Sequence, residues 1–197
     1  MANFYAFFTD FDFKRFISAF LILFAVVDVL GSTAIIINMR KKIGYIHARK
    51  TATAVGLIMV TFLFAGKTIL DLFSIDIGSF AVAGSIVLFL IGMEMILSIS
   101  IFKIDTDVES SSVVPLAFPI IAGTGTLSTL VTLKAEYKTI NVLCGILVNL
   151  VLVFLVLKYS EWIEAKLGRL GINIIHKMMG IISLSIAIKM FKTYLLL

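Results

Sequence analysis

The chain has 197 residues, 60% of them hydrophobic and only 15% charged, with a mean hydropathy of +1.12. That composition excludes an ordinary water-soluble domain, and a formal charge of +5 divided among short loops reads as an orientation signal in a bilayer, with no nucleic acid partner. The single cysteine, Cys144, excludes an internal disulfide or a CxxC metal site and is assigned a buried structural role.

Met1 to Lys14 carries Phe4, Phe7, Phe8 and Phe11 at helical spacing beside Asp10, Asp12 and Lys14, the pattern of a short interfacial segment or of a disordered tail. Long apolar runs follow at roughly Phe16 to Met39, Thr51 to Phe73, Ile77 to Ile101, Val113 to Leu133, Ile140 to Leu157 and Ile174 to Leu197. About 20 apolar residues match the roughly 30 Å hydrocarbon core, so each run is long enough for a transmembrane helix. The expected fold is therefore all-α, a polytopic membrane protein with six transmembrane helices in one membrane domain over residues 1–197. Arg40, Lys41, Lys42, Arg49 and Lys50 place the first loop in the cytoplasm, Lys166 and Arg169 fall on the same side, and both termini then face outside. Tyr137, Tyr159 and Trp162 stand at span ends, where an aromatic belt belongs.

The polar stretch Asp105 to Ser112 divides the chain into repeats of about 16–104 and 113–197, each with three spans. Because three is odd, the halves insert with opposite orientation, as inverted repeats. Phe24, Gly31 and the Ser32, Thr33 pair recur in the second half as Phe118, Gly125 and the Ser128, Thr129 pair.

Helix-breaking chemistry is concentrated in spans one and four. The first carries Asp28, Gly31, Ser32 and Thr33 at mid-depth, and the fourth crowds Pro115, Pro119, Gly123, Thr124, Gly125 and Thr126 together. Proline removes a backbone donor and glycine weakens the helix, so helices one and four are expected to be interrupted where they line a cavity. Ser32 and Thr33, or Thr126 and Ser128, have the chemistry to cap the half-helices that follow. Two half-helix N-termini converging at the midplane suit a substrate carboxylate, with Asn149 as a further cavity candidate. A proline kink with close glycine packing is the structural alternative at each break.

Asp28 is costly at that depth, roughly 2.5 to 3.5 kcal/mol on insertion scales, and is kept for a function or for partners. It could bind Na+ with freed carbonyls, carry a proton, or cap the second half-helix through the Ser32 or Thr33 amides. Thr61, Ser183 and Ser185 read as structural hydroxyls, and His47 and His176 as surface residues rather than metal ligands. No cofactor, metal ligand set or catalytic residue is identified: an intramembrane aspartyl protease needs two nearby carboxylates, and only Asp28 lies at mid-depth.

The stretch Pro115-Leu116-Ala117-Phe118-Pro119-Ile120-Ile121-Ala122-Gly123-Thr124-Gly125 resembles the P-L-A-x-P-x-x-A-G-P-G signature of the MarC family of bacterial and archaeal six-span proteins. Asp28 to Ala34 is similar to the companion D-P-x-G-x-x-P motif through Asp28 and Gly31, while Val29, Ala34 and Thr124 replace family prolines. The resemblance implies an inner-membrane protein, in some members a transporter of small neutral amino acids such as glycine and alanine, with Asp28, Gly31, Gly123 and Gly125 at the site. The expected function is a secondary transporter of a small neutral amino acid. Substrate binding is assigned to Gly31, Ser32, Thr33, Gly123, Thr124, Gly125, Thr126 and Asn149, and Na+ or H+ coupling to Asp28. A channel or passive efflux pore for small polar solutes is the alternative. Membrane lipids are the remaining partners, and a homo-oligomer is left open.

Overall fold

A computed structural model of the chain describes residues 11–99, 117 and 121–195. Among these residues every regular element is a helix: α1 (Phe13–Val27), α2 (Thr33–Ile43), α3 (Ala48–Leu72), α4 (Ile77–Leu97), α5 (Thr124–Glu136), α6 (Thr139–Gly168) and α7 (Leu170–Leu195). Helices α3, α4, α6 and α7 are each long and apolar enough to cross a membrane, which makes the chain a polytopic membrane protein. Helices α1, α2 and α5 have 15, 11 and 13 residues, too few to cross alone at about 1.5 Å per residue.

The run read as span one is thus two helices separated at residues 28–32. In span four only the C-terminal part is described, as α5; Pro115 and Pro119 lie outside the described residues. Most of the segment read as interfacial or as a disordered tail lies outside the described residues. Asp12 is the N-cap of α1, its carboxylate accepting from the Lys14 and Arg15 amides, so α1 starts there; Phe4, Phe7 and Phe8 lie outside the described residues. The helix of the fifth span continues past Leu157, through a non-helical Tyr159, to Gly168. Its extension is rich in good helix formers, and Glu161 and Glu164 pair with Arg40 and Lys41 at the end of α2, at 3.1 and 2.6 Å. At the opposite end Tyr194 donates to Glu136, and the Asp12 amide donates to Asn141. Between α3 and α4 the turn is tight: Ser74 takes a left-handed conformation, and Asp76 caps α4 through the Ser79 amide and hydroxyl, which hold its carboxyl below the usual carboxylate range.

The helices meet at small residues. Gly92 of α4 and Gly180 of α7 lie backbone to backbone; a Cβ on Gly180 would stand 2.9 Å from Met95 Cβ and 3.1 Å from the Gly92 carbonyl. A Cβ on Gly145 of α6 would press on the backbone of Phe20 in α1, and one on Gly84 of α4 would overlap the Ser128 side chain of α5. In lipid, where apolar burial gives helices little reason to associate, such close approach supplies packing and brings short polar side chains into range. Polarity follows the same logic: Asp28, Thr126, Ser128, Asn149 and Ser183 are buried, whereas Leu57, Phe64, Leu147 and Ile181 are exposed on the outer face.

Replacing Gly180 by valine is expected to cost about 1–3 kcal/mol, the usual penalty for overpacking, in a thermal unfolding measurement in detergent. Ile181→Val, one residue away but 57% exposed, should change stability by less than about 0.5 kcal/mol. Equal effects would place the α4–α7 crossing elsewhere.

Candidate functional site: two helix breaks in contact

Helix α1 ends because Asp28 turns the chain left-handed, at φ 44 and ψ 44. Aspartate is one of the few residues with a side chain that supports that conformation locally. Here its Oδ1 accepts the Gly31 amide at 3.1 Å, closing the turn that leads into α2. Gly31 lets the turn close tightly, since a Cβ there would run into the Asp28 carboxylate and the Met95 methyl, and one or both would have to shift. The expectation that Asp28 caps α2 through Ser32 or Thr33 is therefore corrected to Gly31. Ser32 does stand at the N-cap of α2, but with helical dihedrals and no side-chain capping bond. The Thr33 hydroxyl instead donates back to the Val29 carbonyl at 3.2 Å.

A helix leaves its last four carbonyls without intrahelical donors, and in hydrocarbon no water can serve them. At the end of α1, Phe24 O accepts the Asp28 amide, Ala25 O the Ser183 hydroxyl of α7 at 3.1 Å, and Val26 O the Thr126 hydroxyl of α5 at 3.5 Å. Through the break itself, Asp28 O accepts Ser32 N, Val29 O the Thr33 hydroxyl, Leu30 O Thr33 N, and Ser32 O Ile36 N. Gly31 O lies 2.6 Å from His176 Nδ1 of α7.

The second break is built differently. Ala122 N donates to Ala117 O, a wide turn, and α5 then starts from Gly123 in extended conformation with no side-chain cap. Thr126 and Ser128, read from the sequence as caps, serve other carbonyls. Thr126 Oγ1 reaches Ile121 O at 3.1 Å as well as Val26 O, and Ser128 Oγ reaches Phe80 O of α4 at 3.0 Å. Among the described residues no side chain caps the first turn of α5, the condition for its amides to receive an anion. Gly125 stands beside Leu88 and Val26, so α5 approaches α1 closely here.

The two breaks adjoin at the last turn of α1: the Thr126 hydroxyl, with one hydrogen to give, lies 3.1 Å from Ile121 O and 3.5 Å from Val26 O, and Gly125 stands beside Val26. Asp28, Gly31, Ser32 and Thr33 follow Val26 in the first break, and Gly123, Gly125 and Thr126 make up the second. The side chain of Thr124 lies outside the described residues. Asn149 stands apart: its amide donates to Phe20 O and Gly145 O, joining α6 to α1 two turns before Asp28. Two residues not assigned to the site belong at its edge. His176, read as a surface residue, is half-buried on the Gly31 carbonyl, and Ser183, read as structural, serves α1. His176, Gly180 and Ser183 recur on one face of α7, and that spacing is the signal the sequence did contain.

Ser183→Ala and Thr126→Val are each expected to cost roughly 0.6–1.7 kcal/mol, the range for interhelical hydrogen bonds in membranes. Because they serve adjacent carbonyls of one turn, a double-mutant cycle followed by thermal unfolding should show coupling. Ser185→Ala, which removes only a bond to Ile181 of its own helix, should be neutral. Additive losses at Ser183 and Thr126 would mean that the two hydroxyls support the turn independently.

Residues 13–196 match the MarC family of integral membrane proteins. The chain is 34% identical over 197 residues to the UPF0056 membrane protein YvbG of Bacillus subtilis, covering 90% of this chain and 92% of that one. It is 33% identical over 201 residues to YhcE of Escherichia coli, covering 94% of each, and 31% identical over 194 residues to MJ1677 of Methanocaldococcus jannaschii, covering 91% and 95%. No solved structure matches. Matched over nearly its whole length, the chain belongs to the MarC family of integral membrane proteins.

Proposed function

We propose that the protein is a secondary transporter of small neutral amino acids in the cell membrane, built from six crossings in two inverted repeats with both termini outside. The observation that carries this reading is the approach of the two breaks, where the one hydroxyl hydrogen of Thr126 is shared between Ile121 O at 3.1 Å and Val26 O at 3.5 Å, two residues before the buried Asp28. Paired discontinuous helices at the repeat interface are where transporters of this plan hold substrate and coupling ion. The end contacts support the six-crossing order. Pairing of α2 with the end of α6, and of α7 with the end of α5, fits helices that alternate in direction, the broken pair α1 and α2 making one crossing. The uncapped first turn of α5 offers amides to a substrate carboxylate, at the N-terminal end of the helix macrodipole.

Coupling falls to Asp28. A lone buried carboxylate has to be neutralised by whatever binds it, and among the described residues it makes no ion pair. Sodium would need several oxygens, and the carbonyls at residues 28–32 already accept from donors. A proton needs none of them, which favours H+ as the coupling ion.

Purified protein in liposomes should accumulate labelled glycine or alanine when a pH gradient is imposed, with saturable kinetics. Asp28→Asn should abolish gradient-driven accumulation while leaving counterflow of the same amino acid measurable. Failure of every small amino acid to enter would sink the substrate assignment, and non-saturating flux indifferent to the gradient would identify a passive pore.

A further inference from the structure

Helix α6 is longer than the hydrocarbon it crosses. Its largely apolar part, Ile140 to Leu157, spans about 27 Å at roughly 1.5 Å per residue, close to the roughly 30 Å core of a bilayer. Lys158, Tyr159 and Trp162 then fall in the headgroup layer, and Lys166 stands one turn beyond Trp162.

This end of α6 has two unlike sides. One carries Glu161 and Glu164, and α2 occupies both through Arg40 and Lys41. The other carries Lys158, Tyr159, Trp162 and Lys166, all exposed and at the spacing that puts residues on one helix face. Lys158 Nζ lies 5.0 Å from the Tyr159 ring centroid and 5.7 Å from that of Phe154, so the ammonium is held where the apolar run gives way to polar residues. Among the described residues neither Lys158 nor Lys166 makes an ion pair. Deeper on the same face, again at helical spacing, Leu147, Val151 and Leu155 are exposed. Two uncompensated cations with amphipathic rings thus stand at the head of an apolar strip, and a partner that satisfies both parts has an anionic head and a hydrocarbon tail.

We propose that this face of α6 is a binding site for an anionic phospholipid. The headgroup phosphate sits at Lys158 beside the Trp162 indole, Lys166 adds to the field, and an acyl chain lies along Leu155, Val151 and Leu147. A zwitterionic lipid brings its own cation to the phosphate and gains less from two lysines. A free phosphate leaves the apolar strip unused. Because Arg40 and Lys41 already neutralise Glu161 and Glu164, those carboxylates weigh little against the incoming anion.

The test uses the full chain in a neutral maltoside detergent, with phosphatidylglycerol, phosphatidylcholine of the same acyl chains, or inorganic phosphate added. Phosphatidylglycerol should raise the thermal unfolding midpoint by several degrees, less so as salt is added, and native mass spectrometry should show the lipid retained. Phosphatidylcholine and inorganic phosphate should do neither. Lys158→Gln combined with Lys166→Gln should leave the midpoint without lipid unchanged but lose most of the shift and the retained lipid. Lys67→Gln, which removes an exposed cation of α3, should keep both. A double variant that responds like the parent, or phosphatidylcholine as effective as phosphatidylglycerol, would overturn the site. A full shift from inorganic phosphate alone would replace the lipid by a free anion. A dimer of the parent that the double variant loses would make this face a contact between two copies, and either result rejects the lipid assignment.

Discussion

Carbonyl groups at the end of α1 have no water to turn to, and their need for donors organises the rest of the molecule. Each unsatisfied backbone group in hydrocarbon costs several kcal/mol, so a helix can stop at that depth only if other elements deliver hydrogen atoms to it. Here three side chains do so from outside the broken span: Thr126 of α5, Ser183 of α7 and His176 of α7. The remaining donors are local, the Asp28, Ser32 and Thr33 amides and the Thr33 hydroxyl. The break is thus a joint property of three segments, stable only while α5 and α7 stand where they do.

That placement depends on glycine. A serine or threonine side chain is short, and it reaches a neighbouring helix's backbone only if the two axes come unusually close. Gly92 against Gly180 brings α7 onto α4, Gly84 makes room for Ser128, and Gly145 receives α1 on α6. The same crossings place Asn149 on Phe20 O and Ser183 on Ala25 O. Small residues and hydroxyls act as one device, the former setting the distance and the latter using it.

Much of this was legible in the sequence, and the gaps have physical reasons. Runs of apolar residues locate helices because only a regular backbone survives in lipid, and Asp28 with Gly31 marks a break because neither suits a helix interior at that depth. Which carbonyl a hydroxyl serves was not legible. Thr126, Ser128 and Thr33 all have cap chemistry, yet Thr33 and Thr126 turn their hydroxyls to carbonyls of their own break, and Ser128 turns its to Phe80 O of α4, placing each side chain away from the first-turn amides. His176 was missed because its partner is 145 residues away in the chain and its neighbours give no hint of it. The overrun of α6 to Gly168 was missed because hydropathy ends at Leu157, whereas helix propensity and the pairs with Arg40 and Lys41 do not.

The balance of donors and acceptors at the meeting point bears on what such a site selects. On the transporter reading, the first-turn amides of α5, which no described side chain caps, are donors, and the buried carboxylate among the described residues is Asp28. The ligand's carboxylate complements those amides, while Asp28 takes up the coupled proton. Packing is close at both breaks: a methyl group on Gly31 would meet the Asp28 carboxylate and the Met95 methyl, and a Cβ on Gly125 would come into ordinary contact with Leu88 and Val26. The two glycines therefore let buried neighbours close on the backbone where the helices stop, and that closeness is what brings the short hydroxyl of Thr126 within reach of α1.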